Sequence, residues 1–247
     1  MNARLTLVAH ASTAATARAL FSRDEGLEPR GAAAAAAASA PRRITRAVCS
    51  PARAAVETAT ALGLAATVDA RLADWHLGEW RGRALDDVAA AHPAEVAAWL
   101  ADPDAVPHGG ESLTALLARV AGWLAGVDLT AGPEASARAR GSGRGAASAA
   151  ARGSGGSAGG AGSTGACVSG GSAAGAGPAG GAAVGHTVAV THAAVVRAAV
   201  VVTLGAPPAG FWRIDVAPLT ATVLRGGPGR WTVRGTALPL DPSPGGR

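Results

Sequence analysis

Two histidines suggest chemistry first. His10 closes the apolar run "RLTLVAH" and His192 closes "HTVAVTH", and a helix-like stretch follows each. A neutral imidazole is a competent nucleophile near neutral pH and also a proton carrier. In open α/β sheets, reactive groups gather at the carboxyl ends of the strands. Amides at the start of a following helix favour an anion such as phosphate. Two histidines in equivalent positions therefore point to one shared site.

The elements that must carry these residues alternate along the chain. Strands are expected over "RLTLVAH", "ITRAVCS" and "HTVAVTH", with an antiparallel pair in "WRIDVAPLTATVLR" and "RWTVRG". Helices are expected over "STAATARALF", the alanine tract from Gly31 to about Ala40, "RAAVETATALG", and "ALDDVAAAHPAEVAAWLAD" with a break at Pro93. "SLTALLARVAGWLAGV" repeats leucine and valine at three- and four-residue spacing behind Ser112, a natural N-cap. "AAVVRAAVVVTLG" completes the set. This order predicts an α/β three-layer sandwich, with a mostly parallel central sheet and helices on both faces.

Residues 130–185 break the pattern, holding 18 of the 35 glycines with alanine and serine and no periodic apolar face. Such a segment cannot offset its ordering entropy, so a disordered low-complexity insertion is expected there. One domain is then built from 1–129 and 186–247. All 22 positive residues are arginine, and the insertion alone carries four arginines against one glutamate, so it supplies three of the five net positive charges. With no aromatic-and-basic platform beside the charge, nucleic-acid binding is not expected. Cys49 and Cys167 make no disulfide framework, and no Cys/His spacing suits a metal, so no metal or cofactor is expected. The opening apolar run is too short for a signal sequence and no segment is long enough to span a bilayer, so a cytoplasmic protein without a membrane partner is expected.

The sequence resembles the histidine phosphatase superfamily, in its phosphoglycerate-mutase-like branch that includes α-ribazole phosphatase. "LVAHAST" is similar to that family's LVRHGET-type opening and "DEGLEPRGAAAAA" to its second stretch, through Asp24, Leu27 and Gly31. "CSPARAAVETA", "RLADWHLGEWRGR", "PHGGES" and "VAVTHAAVVRAAVVVTLGAP" follow in the family's order. The resemblance implies a phosphoglycerate-mutase-like fold and two-step phosphoryl transfer. His10 would attack phosphorus, Asp74 would protonate the leaving oxygen and then activate water, and His192 would donate to the phosphoryl oxygens. Glu79 is the other carboxylate in the Asp74 segment. Ser12, Thr13 and Arg53 would contact the substrate, a small phosphorylated metabolite.

Two positions depart from the family pattern. Its opening arginine is Ala9 here, and Ala54 stands where its second phosphate-binding arginine falls. Arg53 lies one residue early. That shift turns a side chain by about 100° on a helix, although a long guanidinium can still reach a pocket. Arg18 is a further candidate, and Arg197 matches an arginine common in the second-histidine helix. Phosphoryl transfer depends on positioning and charge stabilisation, so the loss of two arginines leaves two readings. One is a phosphomonoesterase working through phosphohistidine. The other is a catalytically degenerate member that binds a phospho-ligand or serves as a regulatory module. Trp75, Trp80 and Trp212 fit core packing, and His76, His92, His108 and His186 read as surface histidines.

Overall fold

The computed structural model describes residues 3–127 and 185–242. The expected insertion at 130–185, Cys167 included, lies outside the described residues apart from Gly185. The central sheet has six strands in the order β3-β2-β4-β1-β5-β6. They are β1 (Ala3–Ala9), β2 (Arg46–Cys49), β3 (Thr67–Val68), β4 (His186–Thr191), β5 (Thr220–Gly227) and β6 (Arg230–Pro239). β3, β2, β4 and β1 run parallel, while β5 and β6 close one side antiparallel. β1 and β4 sit in the middle and are buried almost throughout, with Arg4 and Thr6 placing polar groups on one face of β1.

Alternation along these strands feeds two core layers. Leu5, Leu7, Ala189 and Leu224 face a large cluster containing α6 (Leu113–Ala125) and α7 (Ala193–Leu204). Val8, Val188, Val190 and Ala221 face the opposite layer, where α3 (Arg53–Ala61) packs through Ala55 and Ala59 and against α2 (Pro29–Ala37). The sheet is thus covered on both faces. Local signals set the helix ends. Ser112 Oγ accepts from Ala115 N to start α6, and Gly205 ends α7 in the left-handed conformation at φ 59°. Pro93 separates α4 (Leu85–Ala91) from α5 (Pro93–Ala101), because it lacks the N–H that a continuous helix needs.

Two expected elements are shorter than their sequences suggest. The helix expected over 12–21 is the single turn α1 (Ala14–Ala17). Thr13 and Thr16 form a reciprocal capping box there, but Ala19 turns to φ 52° and Phe21 pairs its backbone with Gly82 and Arg83. Phe21 then stacks on Trp80, so tertiary packing outweighs helix propensity. The strand expected from Trp212 begins only at Thr220, because Pro208–Arg213 forms a 3₁₀ segment that sends Phe211 into the core. Six of the eight aromatic side chains, Phe21, Trp75, Trp80, Trp99, Phe211 and Trp212, meet in one cluster, with Trp99 and Trp212 centroids 4.7 Å apart. In so alanine-rich a chain this cluster supplies much of the bulk on that side. No helix of the described residues is long and apolar enough to cross a membrane.

His108 and His186 are buried, contrary to the expectation of surface histidines. His186 donates Nδ1–H to Arg42 O and lies 2.9 Å from Thr6 Oγ1 through Nε2. His108 Nδ1 accepts from Gly110 N. Burial lowers both pKa values, the charge of Arg4 adding to the effect at His186 and that of His76 at His108. A histidine with a depressed pKa binds protons more readily once unfolded, so its contribution is lost as pH falls through the unfolded value of about 6.5. The melting temperature should therefore drop as pH is lowered from about 7.5 to about 5.5, and less steeply in a His186→Asn variant. A profile that is flat or rises toward acid would contradict this.

Candidate active site

The register of β1 against β4 pairs Ala9 with Thr191, so the two strands end side by side. His10 N donates to Thr191 O at 2.8 Å, and His192 follows at the start of α7. The two imidazoles meet edge to face with centroids 5.0 Å apart. His10 Nδ1 lies 2.8 Å from Ala11 O. A carbonyl only accepts, so Nδ1 carries a proton, and Nε2 makes no hydrogen bond among the described residues. Ala11 N in turn donates to Thr58 Oγ1 on α3, which fixes the turn carrying His10.

His192 is nine-tenths buried, and its Nε2 lies 2.8 Å from Ser50 Oγ at the end of β2. A hydroxyl can accept twice and still donate, so Ser50, which also accepts from Ala52 N, fits either tautomer. The Asp74 carboxylate facing Nδ1 selects the one in which Ser50 donates to Nε2. The ring proton then sits on Nδ1, which has no hydrogen-bond partner among the described residues and faces Asp74 Oδ2 at 3.4 Å. That distance suits an ion pair, yet burial lowers the His192 pKa against the opposing pull of Asp74. Burial prevails at a ring with 3% exposure, so His192 is a neutral donor at neutral pH.

Asp74 reaches the cleft on the loop after the 3₁₀ turn Ala70–Leu72. Its Oδ1 accepts from Trp75 N at 2.8 Å. The loop is held by Arg119 of α6, which donates to Arg71 O, Ala73 O and Asp74 O while forming a two-pronged pair with Glu111 at 2.8 Å on each prong. Trp75 Nε1 donates to Glu111 O, closing the brace. Glu79 is exposed, its backbone N–H tied to His108 O, and it lines neither lobe of the cleft.

The expected substrate contacts are arranged unevenly. Thr13 caps α1 and donates to Glu25 Oε1 at 2.9 Å, and Ser12 Oγ donates to Glu28 Oε1 at 2.6 Å. Burial pushes Glu25 up, but the Arg23 amide with the Thr13 and Ser22 hydroxyls outweighs it and holds the carboxyl below its usual range. Gly31 lets α2 lie against this turn, since a Cβ there would stand 2.1 Å from Ser12 O. Arg53 lines neither lobe; its side chain, 68% exposed, turns along α3 to pair with Glu57 at 2.7 Å. Arg18 is exposed and also lines neither lobe, while Ala9 and Ala54 are buried.

The cations that do line the cleft are Arg81 and Arg197. Arg81 Nε is anchored on Ser22 O at 3.2 Å and Arg197 Nε on Ile214 O at 2.8 Å. Burial lowers the Arg197 pKa, with Asp215 opposing, though a guanidinium stays charged in either case. The cleft has two lobes, ≈ 290 Å³ and ≈ 240 Å³, which share Ser22, Asp74, Trp75, Arg81 and His192. One lobe borders Asp24 and Ser50; the other contains His10 and Arg197 and is walled by Phe21, Trp99, Phe211 and Trp212. Trp75 and Trp212 thus both pack and line the site. Sequence reasoning did not single out Arg81, Ser50 or Glu25. Arg81 had a signal, since it occupies the acidic position of the family's G-x-W-E-G segment. Among the described residues, no three His, Cys, Asp or Glu side chains are grouped to hold a metal ion.

Paired histidines and a carboxylate at the carboxyl edge of a doubly covered parallel sheet define a phosphoglycerate-mutase-like α/β protein. The model of the histidine phosphatase superfamily (branch 1) matches residues 5–136 and 179–238, and the chain belongs to that superfamily. Glucosyl-3-phosphoglycerate phosphatase of Mycolicibacterium vanbaalenii is 42% identical over 85 residues, 33% of this chain and 38% of that protein. The match thus spans well under half of that relative's length. The structure of a mycobacterial glucosyl-3-phosphoglycerate phosphatase superposes with a TM-score of 0.66 at 22% identity, covering 96% of this chain and 100% of that one. The α-ribazole phosphatase from Shigella flexneri gives 0.63 at 18% identity, covering 96% and 99%. These two likenesses show the fold.

The Arg119 brace makes a direct expectation. Arg119→Met leaves Glu111 and three carbonyls without their donor, and should cost about 2–3 kcal/mol in urea denaturation. It should also speed amide exchange in residues 72–76. Unchanged stability and exchange would mean that the Asp74 loop is held by its other contacts.

Proposed function

We propose that the protein is a phosphomonoesterase acting on small phosphorylated metabolites through a phosphohistidine on His10. The carrying observation is the Nδ1 contact of His10 with Ala11 O, which leaves Nε2 as the nucleophilic atom beside His192 and Asp74. His10 Nε2 forms a bond to phosphorus as the P–O bond to the leaving group breaks. The Asp74 carboxyl group gives its proton to the departing oxygen, then takes one from the water that attacks phosphohistidine, releasing orthophosphate and restoring the ring. His192 donates Nδ1–H to a phosphoryl oxygen. Arg81 and Arg197, anchored through Nε, present their remaining donors to the developing charge in place of arginines at positions 9 and 54.

The similarity to glucosyl-3-phosphoglycerate phosphatase supports a phosphorylated metabolite as substrate. The aromatic wall beside His10 offers flat faces to a sugar-like leaving group, with Glu25 available for its hydroxyls. A cytoplasmic setting goes with the free, buried thiol of Cys49. The second reading, a pocket that binds without turnover, draws on Ala9 and Ala54 and on the carboxylates that engage Ser12 and Thr13.

The test treats the full chain and its His10→Ala variant with an activated phosphodonor and maps any phosphohistidine by mass spectrometry and ³¹P NMR. The Nε2-linked isomer should form only in the parent. Arg81→Ala and Arg197→Ala should each lower kcat/KM on an aryl phosphate by roughly a hundredfold. Absence of labelling in a folded parent protein would favour the binding reading, and an Nδ1-linked product would refute the assigned nucleophilic atom.

A further inference from the structure

A second polar cavity lies at the opposite end of β1. Arg4 and Thr6 share the sheet face of Val8 by alternation, and six residues of strand place Arg4 about 20 Å from His10. They line a cavity of ≈ 210 Å³ together with Ser39 and Arg42 from the connection after α2 and Asp241 beyond β6. A single water needs only about 10–15 Å³ on the same scale. The chain after β6 is tied across the opening: Ser39 N donates to Asp241 O at 2.7 Å and Ser39 Oγ to Pro242 O at 3.1 Å.

The donors in this cavity are in excess. Among the described residues, Arg4 Nε is fully buried without a hydrogen-bond partner, and no ion pair reaches either the Arg4 or the Arg42 guanidinium. A buried donor left unpaired is destabilising, and such groups in native structures call for a partner. Asp241 is the carboxylate lining the cavity, so two arginines line it against one negative charge. His186, adjoining through Thr6, spends Nδ1–H on Arg42 O and is kept neutral by burial and by Arg4, so it adds no charge near neutral pH. The hydroxyl hydrogens of Thr6 and Ser39 are spent on His186 Nε2 and Pro242 O, so the arginines are the donors left for a ligand.

We infer that this cavity is a binding site for a small oxyanion of the phosphate type, clamped between Arg4 and Arg42 and separate from the catalytic cleft. Guanidinium forks match tetrahedral oxyanions with paired donors, and the partly enclosed setting strengthens each contact. The site stands independently of the reaction at His10. A phosphate group bound there would fasten β1, the connection after α2 and the segment beyond β6 to one another. That makes it a stabilising or effector site rather than a second catalytic one, since no nucleophile of the His10 kind faces it.

Calorimetric titration of the full chain with inorganic phosphate, at constant ionic strength, tests this. The parent should bind two equivalents. Arg42→Gln, on an exposed connection where folding is not at risk, should weaken one of them about tenfold or more and leave turnover on an aryl phosphate unchanged. Arg4→Gln should do the same and, with phosphate absent, melt no lower than the parent, because it removes the orphaned donor. Arg81→Ala should affect only the other equivalent. The inference is overturned if millimolar phosphate fills a single site that responds to Arg81→Ala alone, or if both Arg4 and Arg42 variants titrate like the parent.

Discussion

Parallel pairing of Ala9 with Thr191 sets everything else at the cleft. Parallel strands joined through covered faces end at a common edge, so the residue after each strand arrives next to its neighbour. The His10 amide continues the ladder by one bond to Thr191 O, and His192 begins α7 directly beside it. A slip of one residue would move either histidine to the other face, and the buried sequence of β4 forbids that slip because Val188 and Val190 would exchange faces with Ala189. The apolar alternation that packs the core is therefore the same constraint that aligns two imidazoles 5.0 Å apart.

Charge at the cleft is distributed in an unusual way for an anion site. The short turn after His10 is engaged with carboxylates: Thr13 with Glu25 and Ser12 with Glu28. Arg53, near the family's arginine position, is engaged with Glu57, whose carboxyl is held low by the Leu27 amide first and by Arg53 next. Positive charge comes instead from Arg81 and Arg197, which approach from the loop after Trp80 and from α7. Both are fixed through Nε to a backbone carbonyl, so the geometry of the guanidinium is set before any ligand arrives. In a partly buried lobe two preset cations count for more than flexible ones at the rim.

How much of this was legible in the sequence depends on the range of the interaction. Ser112, Pro93 and the apolar runs before His10 and His192 act within a few residues, and each element they mark is present in the structure. The early end of α1 was hidden, because it follows from Phe21 stacking on Trp80, nearly sixty residues away. The partners of Ser12 and Thr13, sixteen and twelve residues on, were hidden because the loop between them has to fold back. The turn of Arg53 toward Glu57 follows their i,i+4 placement on α3, which by itself does not choose that pairing over the cleft. Burial of His108 and His186 was equally invisible: Trp75, Trp80 and Trp99 close around the first, and the second bonds Arg42 O across 144 residues. Arg81 was the one readable miss: a basic residue in an acidic position of a known pattern is itself a signal.

The histidines show how one side chain is given different tasks by its second nitrogen. His10 spends Nδ1 on a carbonyl and keeps Nε2 free. His192 engages Nε2 with Ser50 and turns Nδ1 to the cleft. His186 uses both nitrogens and is closed to chemistry. The imidazole is the same in each case, and its tautomer is chosen by a neighbour that only accepts, a carbonyl at His10 and His186 and a carboxylate at His192. The tautomer of His10 therefore depends on Ala11 O, and Ala11 is held by Thr58, whose hydroxyl donates to Ala54 O on α3. Ala54 is buried and supplies this anchor through its backbone, so the helix that carries no arginine into the cleft still fixes the turn on which His10 sits.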